Sequence, residues 1–190
     1  MPLSKSAPRK AVHTRTVTCQ GYQREDGLWD IEGFMTDTKP FPLPNAHRGG
    51  YINAGEALHG MAIRLTIDTQ MKVHEAEAVI DYSPFGGCPR ITERFKKLVG
   101  LSIVHGWTKQ VKDLFAGIDG CTHLTDLLAP IATTAFQVMI THKTGDGMKF
   151  YEKATETPPH LNTCHMLDEA SEVVAERWPQ FYKPRLQQVG

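Results

Sequence analysis

A chain of 190 residues with 21 Lys plus Arg against 21 Asp plus Glu carries no formal net charge at pH 7. That length is enough for one well-buried core, and a neutral chain sets up no long-range field to draw in nucleic acid or an anionic membrane. No run of about 18 apolar residues is present, and Met1 to Lys10 lacks the apolar stretch of a secretory signal, so the expected setting is the cytoplasm.

Residues 1–12, rich in Pro, Ser and Lys, read as a flexible leader, and 13–190 as a single α+β domain. From Thr14 the pattern alternates: Val17 and Cys19 sit between Thr16, Thr18 and Gln20, then Trp29, Ile31 and Met35 alternate with Asp30, Glu32 and Thr36. Two strands joined at Glu25-Asp26-Gly27 make a hairpin, Asp-Gly being a favoured turn. Lys39 to Gly50, with three prolines and a Gly-Gly pair, reads as a surface loop without regular structure. Met61, Ile63, Leu65 and Ile67 define the clearest strand, Met61 to Asp68, with one face buried. A fourth strand follows over Met71 to Asp81.

After Pro84-Phe85-Gly86-Gly87 the period changes from two to about 3.6. Ile91, Phe95, Leu98 and Val99 form one helical stripe, and Trp107, Val111, Leu114 and Phe115 a second. Leu124, Leu127, Leu128, Ile131, Ala135 and Val138 form the longest, a central helix that Pro130 is expected to kink. Thr144 to Pro159 is polar and broken by Gly and Pro, and a last helix runs over Met166 to Trp178.

The elements add up to an α+β fold: an antiparallel sheet of about four strands in sequential order, with helices packed on one face. The row Met61, Ile63, Leu65 and Ile67 is expected to meet the helix of Leu124, Leu128 and Ile131.

Chemistry-bearing residues gather in Gly117-Ile118-Asp119-Gly120-Cys121-Thr122-His123-Leu124. Asp119 is a plausible N-cap for the central helix. Cys121 then falls in its first turn, where free N–H groups and the helix dipole favour a thiolate. His123 lies about 200° around the wheel, so the pair reaches one metal only if that turn is distorted. A packed Cys with an exposed His weighs equally.

Four cysteines, Cys19, Cys88, Cys121 and Cys164, are too few and too spread for a disulfide scaffold and are expected as free thiols or ligands. Cys88 stands at the strand-to-helix junction, as ligand or small hydrophobe. His59 immediately precedes the best strand, as ligand or surface residue. Cys19 reads as core, and Cys164-His165 as a further donor pair or a packed one. Asp30 and Glu32 share a strand face, the arrangement paired acid and base carboxylates need, although a solvated face explains them as well. Arg48, in the long loop, is placed to clamp a substrate carboxylate or phosphate, or is simply solvated. Phosphate loops, dinucleotide fingerprints, nucleophile elbows and His-Glu-x-x-His helices are absent.

Gly27-Leu28-Trp29-Asp30-Ile31-Glu32-Gly33, His59-Gly60-Met61 with Arg64-Leu65-Thr66-Ile67-Asp68, and Gly120-Cys121-Thr122-His123-Leu124 together resemble a bacterial family of unknown function. The resemblance implies gene neighbourhoods of aromatic or acyl-CoA catabolism. More distantly, Gly55 to Gln137 is similar to iron–sulfur scaffold proteins of the IscU and NifU type. Met61 to Asp81, Cys88, Leu98-Val99-Gly100 and Cys121 before Leu124 match their order, which implies IscU-like layering. On that likeness His59 stands where the scaffolds place a metal-binding Asp. Asn53-Ala54-Gly55 offers no thiol where they carry Cys-Gly-Asp, which disfavours cluster assembly and leaves a mononuclear site.

The reading is a metal-dependent enzyme of hydrolytic or lyase type acting on a small aromatic or acyl substrate. One Zn²⁺ or Fe²⁺ is held by His59, Cys88, Cys121 and His123, with Cys121, His123, Arg48 and Asp30 as catalytic candidates. The alternatives are a metal or sulfur carrier, and a metal-free thiol enzyme with Cys121 as nucleophile and His123 as base. No nucleic acid or membrane partner is expected; a homo-oligomer is left open.

Overall fold

The computed structural model describes residues 3–144, 155–158 and 160–185. The chain divides into two compact units, Met1–Val138 and Met139–Gly190.

The first unit is built on strands β1 (Thr14–Gln23), β2 (Trp29–Thr38), β3 (Leu43–Asn45), β4 (Gly50–Ile52), β5 (Ala57–Ile67) and β6 (Val73–Tyr82). Four of them form one antiparallel sheet in the order β1-β2-β5-β6, so the mixed α+β fold is as the alternation predicts. The β1–β2 turn closes through the Arg24 N–H, which donates to the Leu28 carbonyl at 2.9 Å, with Gly27 at φ +84°. A side chain there would be strained, which is why the Asp-Gly pair carries this hairpin.

Period-two patterning decides which face is covered. Trp29, Ile31 and Met35 on β2 and Met61, Ile63, Leu65 and Ile67 on β5 are buried, while Phe34 on the opposite face of β2 is exposed. The segment expected as an irregular loop is instead a short second hairpin, β3 and β4. Gly49 and Gly50 supply its turn, both with positive φ.

The first helical stripe folds as a 3-10 helix over Cys88–Leu98 rather than an α-helix, burying Phe95 and Leu98. Helix α1 spans Trp107–Phe115, and Phe95 and Phe115 stack at 4.5 Å between ring centroids. Helix α2 spans Thr122–Thr144 and continues through Pro130. By length and composition alone α2 is long and apolar enough to cross a bilayer, with mean hydropathy 1.3 over Thr122–His142, a test that a buried core helix also passes.

Two glycines let α2 lie close to the sheet. A Cβ on Gly33 of β2 would come within 2.6 Å of Ile131 Cγ1, and one on Gly21 of β1 would collide with Val138. Fifteen residues of helix from His123 to Val138 span about 22 Å. Six residues of strand from Ile31 to Asp37 span about 20 Å. The helix start is thereby carried to the Asp37 end of β2.

In the second unit, Leu161, Val174 and Trp178 form a small core. The expected helix over Met166 to Trp178 is shorter: a 3-10 turn at His165–Leu167, then α3 at Glu172–Arg177. Ser171 starts α3, its hydroxyl accepting the Val174 N–H at 3.2 Å, while the Asp168 carboxylate accepts the Ala170 N–H at 2.8 Å and turns the chain just before it. Most of the polar stretch Thr144 to Pro159 lies outside the described residues.

Gly33→Ala should lower stability by about 1–3 kcal/mol, because the added methyl overpacks the Ile131 contact. Urea unfolding measures this, and an unchanged midpoint would mean that α2 does not need the close approach.

Candidate functional site

The covered face of the sheet is apolar except at one end. There Arg15 of β1, Asp37 of β2 and His59 of β5 stand in one cross-strand row, since Arg15 pairs with Asp37 and Asp37 with His59. Asp37 is in phase with Trp29, Ile31 and Met35, so its strand drives its carboxylate inward, and only 1% of the residue is exposed. A buried carboxylate persists only if it is paired.

Arg15 does the pairing. Its Nε donates to Asp37 Oδ1 and its Nη2 to Oδ2, both at 2.8 Å, a two-pronged geometry suited to a planar guanidinium. His59 Nδ1 lies 3.0 Å from Oδ2 and His13 Nε2 3.1 Å from Oδ1. The Arg15 hydrogen bonds, reinforced by its charge and by His59 and His13, outweigh burial and hold the Asp37 carboxyl down at about 2. An ionised carboxylate only accepts hydrogen bonds. His59 therefore carries a proton on Nδ1, leaving Nε2 as its second functional atom.

The fourth group comes from α2. Gly120 lets the chain enter this helix, because a Cβ there would collide with the Phe115 carbonyl. The Cys121 carbonyl accepts the Thr125 N–H at 2.8 Å, so Cys121, not Asp119, occupies the cap position. Asp119 instead pairs with Arg94 at 2.6 Å. From the first turn His123 reaches the sheet, its ring 3.9 Å from that of His59 between centroids and its Nε2 3.9 Å from Asp37 Oδ2. Burial first, then the neighbouring His59 and Arg15, push the His123 imidazole below its ordinary value, against Asp37 and Asp126. Asp126, one turn further along α2, lies 3.7 Å from Arg15 Nη1.

Donor atoms of Asp37, His59 and His123 all lie within 4.8 Å of one another. The grouping differs from the expected ligand set. The structure brings His59 and His123 together with Asp37, and neither Cys88 nor Cys121 belongs to this grouping. Cys88 sits half-buried at the start of its 3-10 helix. Cys19 is half-buried on the covered face of β1, and burial pushes its thiol up. Cys164 is exposed in the second unit.

The other two catalytic candidates lie elsewhere. Asp30, seven residues from Asp37, is on the opposite face of β2, accepting from the Thr66 hydroxyl at 2.7 Å and from Arg24 at 3.4 Å. Arg48 pairs with Glu56, donates to the Ala57 carbonyl at 3.1 Å and lies 5.4 Å from the Tyr82 ring centroid, which fastens the β3–β4 hairpin to β5. Arg15, Asp37 and His13 escaped the sequence reading, although the β2 alternation, carried one step past Met35, puts an acid where an apolar residue is due.

An antiparallel sheet with helices over one face and a buried carboxylate–histidine cluster at its end is the class that fold and site define. The chain belongs to the family described as protein of unknown function DUF2889, which it matches over residues 13–137. That range takes in His13, Arg15, Asp37, His59, His123 and Asp126. No curated protein and no solved structure matches the chain.

Because Asp37 titrates lower folded than its ordinary 3.8, its stabilising share is complete above about pH 4 and is lost as pH falls toward 2. The displacement corresponds to about 2 kcal/mol. His123, also lowered, acts in the same direction, its share being lost as pH falls below about 6.5. Asp37→Asn should remove about 2 kcal/mol of the fall in unfolding free energy between pH 4 and 2. An acid limb identical to that of the parent would show that Asp37 is not held ionised by Arg15.

Proposed function

We propose that the protein is an enzyme of hydrolytic or lyase type, acting on a small molecule, in which His59 moves the proton. The observation that carries this reading is the hydrogen bond from His59 Nδ1 to the ionised Asp37, which leaves Nε2 free to take a proton from substrate or water. A positive charge arising on the imidazole pair is better placed on His59, 3.0 Å from Asp37, than on His123, 3.9 Å away. His123, disfavoured as a cation, is suited to act as a neutral imidazole that donates a hydrogen bond to a developing oxyanion. The small aromatic or acyl substrate class is carried by the family resemblance.

A second reading, favoured by the convergence of three donor groups within 4.8 Å, makes the cluster a Zn²⁺ or Fe²⁺ site. Two imidazoles and an ionised carboxylate fit such an ion in donor type. Arg15, Asp37 and Asp126 sum to one negative charge, which a divalent ion would turn to one positive. When bound, the ion would activate water or polarise a carbonyl. Against this reading, both Asp37 oxygens already accept from Arg15.

One measurement tests the site and a second separates the readings. Turnover found on a panel of small esters, thioesters and aromatic acids should fall about 10²–10⁴-fold in His59→Ala and Asp37→Asn, and full activity in His59→Ala sinks the proposal. Elemental analysis of the purified protein should give well under one equivalent of zinc or iron. A stoichiometric metal that disappears in His123→Ala would establish the second reading in place of the first.

A further inference from the structure

We propose that Arg15 is the positioning residue of this site, one guanidinium that sets both histidines, each through a different carboxylate. The inference rests on the reading of His59 as proton carrier and concerns what holds that residue in register with His123.

Arg15 lies on β1, the edge strand, which neither histidine belongs to. Nε and Nη2 clamp Asp37, while Nη1 faces Asp126 of α2 at 3.7 Å. Each carboxylate stands next to one histidine. Asp37 is the cross-strand partner of His59 and accepts from its Nδ1. Asp126 is three residues after His123, and so one turn along the same helix.

The clamp on Asp37 uses one acceptor direction on each oxygen, which fixes the carboxylate plane and leaves Oδ1 for His13 and Oδ2 for His59. Without the fork the carboxylate is free to rotate, and His13, His59 and His123 compete for the same oxygens. The contact with Asp126, a half-exposed ion pair, adds a second tie between Arg15 and the first turns of α2, whose approach the glycines set, on the side where the His123 ring meets His59 at 3.9 Å. A lysine supplies the charge as a single point and cannot hold both oxygens of Asp37 and face Asp126 at once.

The test uses the intact protein labelled with ¹⁵N at histidine and requires no substrate. In the parent, ¹⁵N shifts should show His59 as the Nδ1–H tautomer, with close contacts between the His59 and His123 ring protons. In Arg15→Gln the Nδ1–H preference should fall by about tenfold, the scale of one charge-assisted hydrogen bond, and the cross-ring contacts should weaken. Asp126→Asn should weaken the cross-ring contacts and leave the His59 tautomer as it was. Should Arg15→Gln not fold, Arg15→Lys carries the test, because it keeps the charge and loses the fork.

Parent-like tautomer and ring contacts in Arg15→Lys, or in a folded Arg15→Gln, overturn the proposal. That outcome leaves the acid–base reading standing, since the latter is judged by turnover in His59→Ala with Arg15 in place.

Discussion

One buried charge organises this end of the molecule. Asp37 lies on the covered face of its strand, where the neighbouring positions of the same phase are tryptophan, isoleucine and methionine, and it is almost wholly removed from water. An ionised carboxylate tolerates that only with a full set of donors, and the strands on either side provide them. Arg15 comes from β1 and His59 from β5, both directly opposite Asp37 in register, and His13 from just before β1. A slip of one residue in either pairing would turn Arg15 or His59 to the other face and strand the charge. Sheet register and the ionisation of one side chain are thus the same constraint.

The helix is placed by a different kind of interaction, the absence of side chains. Gly33 and Gly21 lie on the covered face under Ile131 and Val138, and a Cβ at either point would force those side chains to shift. Because α2 follows β2 at close range, its first turn arrives at Asp37, and His123 joins a site whose other members lie more than sixty residues earlier. Packing chosen along the apolar length of the helix therefore fixes polar geometry at its tip.

Much of this was legible in the sequence. The strand pairing followed from period-two runs and one Asp-Gly turn, and the central helix from a stripe sustained from Leu124 to Val138. His59 and His123 were legible as partners only through a resemblance, since no local pattern says that two segments so far apart meet. The same alternation that identified β2 contained Asp37, but the eye goes to Asp30 and Glu32, which make a pair on the open face and are balanced there by Arg24 and Arg64. A charged residue in phase with a buried row is the stronger signal, because burial forces it to have partners. The cysteines are weaker pointers for a related reason. A thiol is at home in a half-buried position without a ligand, so its presence near a helix start carries little information. At Cys121 the described contact is made by the backbone, whose carbonyl caps α2.

The count of lone pairs bears on the two readings proposed for this cluster. A carboxylate offers about four acceptor directions, and Arg15 takes two of Asp37's, His59 and His13 one each. A metal ion bound to Asp37 would have to displace one of these, and its charge would lie beside the guanidinium that keeps the carboxylate ionised. The proposed proton transfer at His59 would displace none of them. It would use the hydrogen bond already made at Nδ1, beside the one buried anion among the described residues of this face. On the proposed acid–base reading, the geometry that satisfies Asp37 is also the one that holds the His59 ring in a fixed orientation for proton transfer, the preorganisation such a catalyst would need.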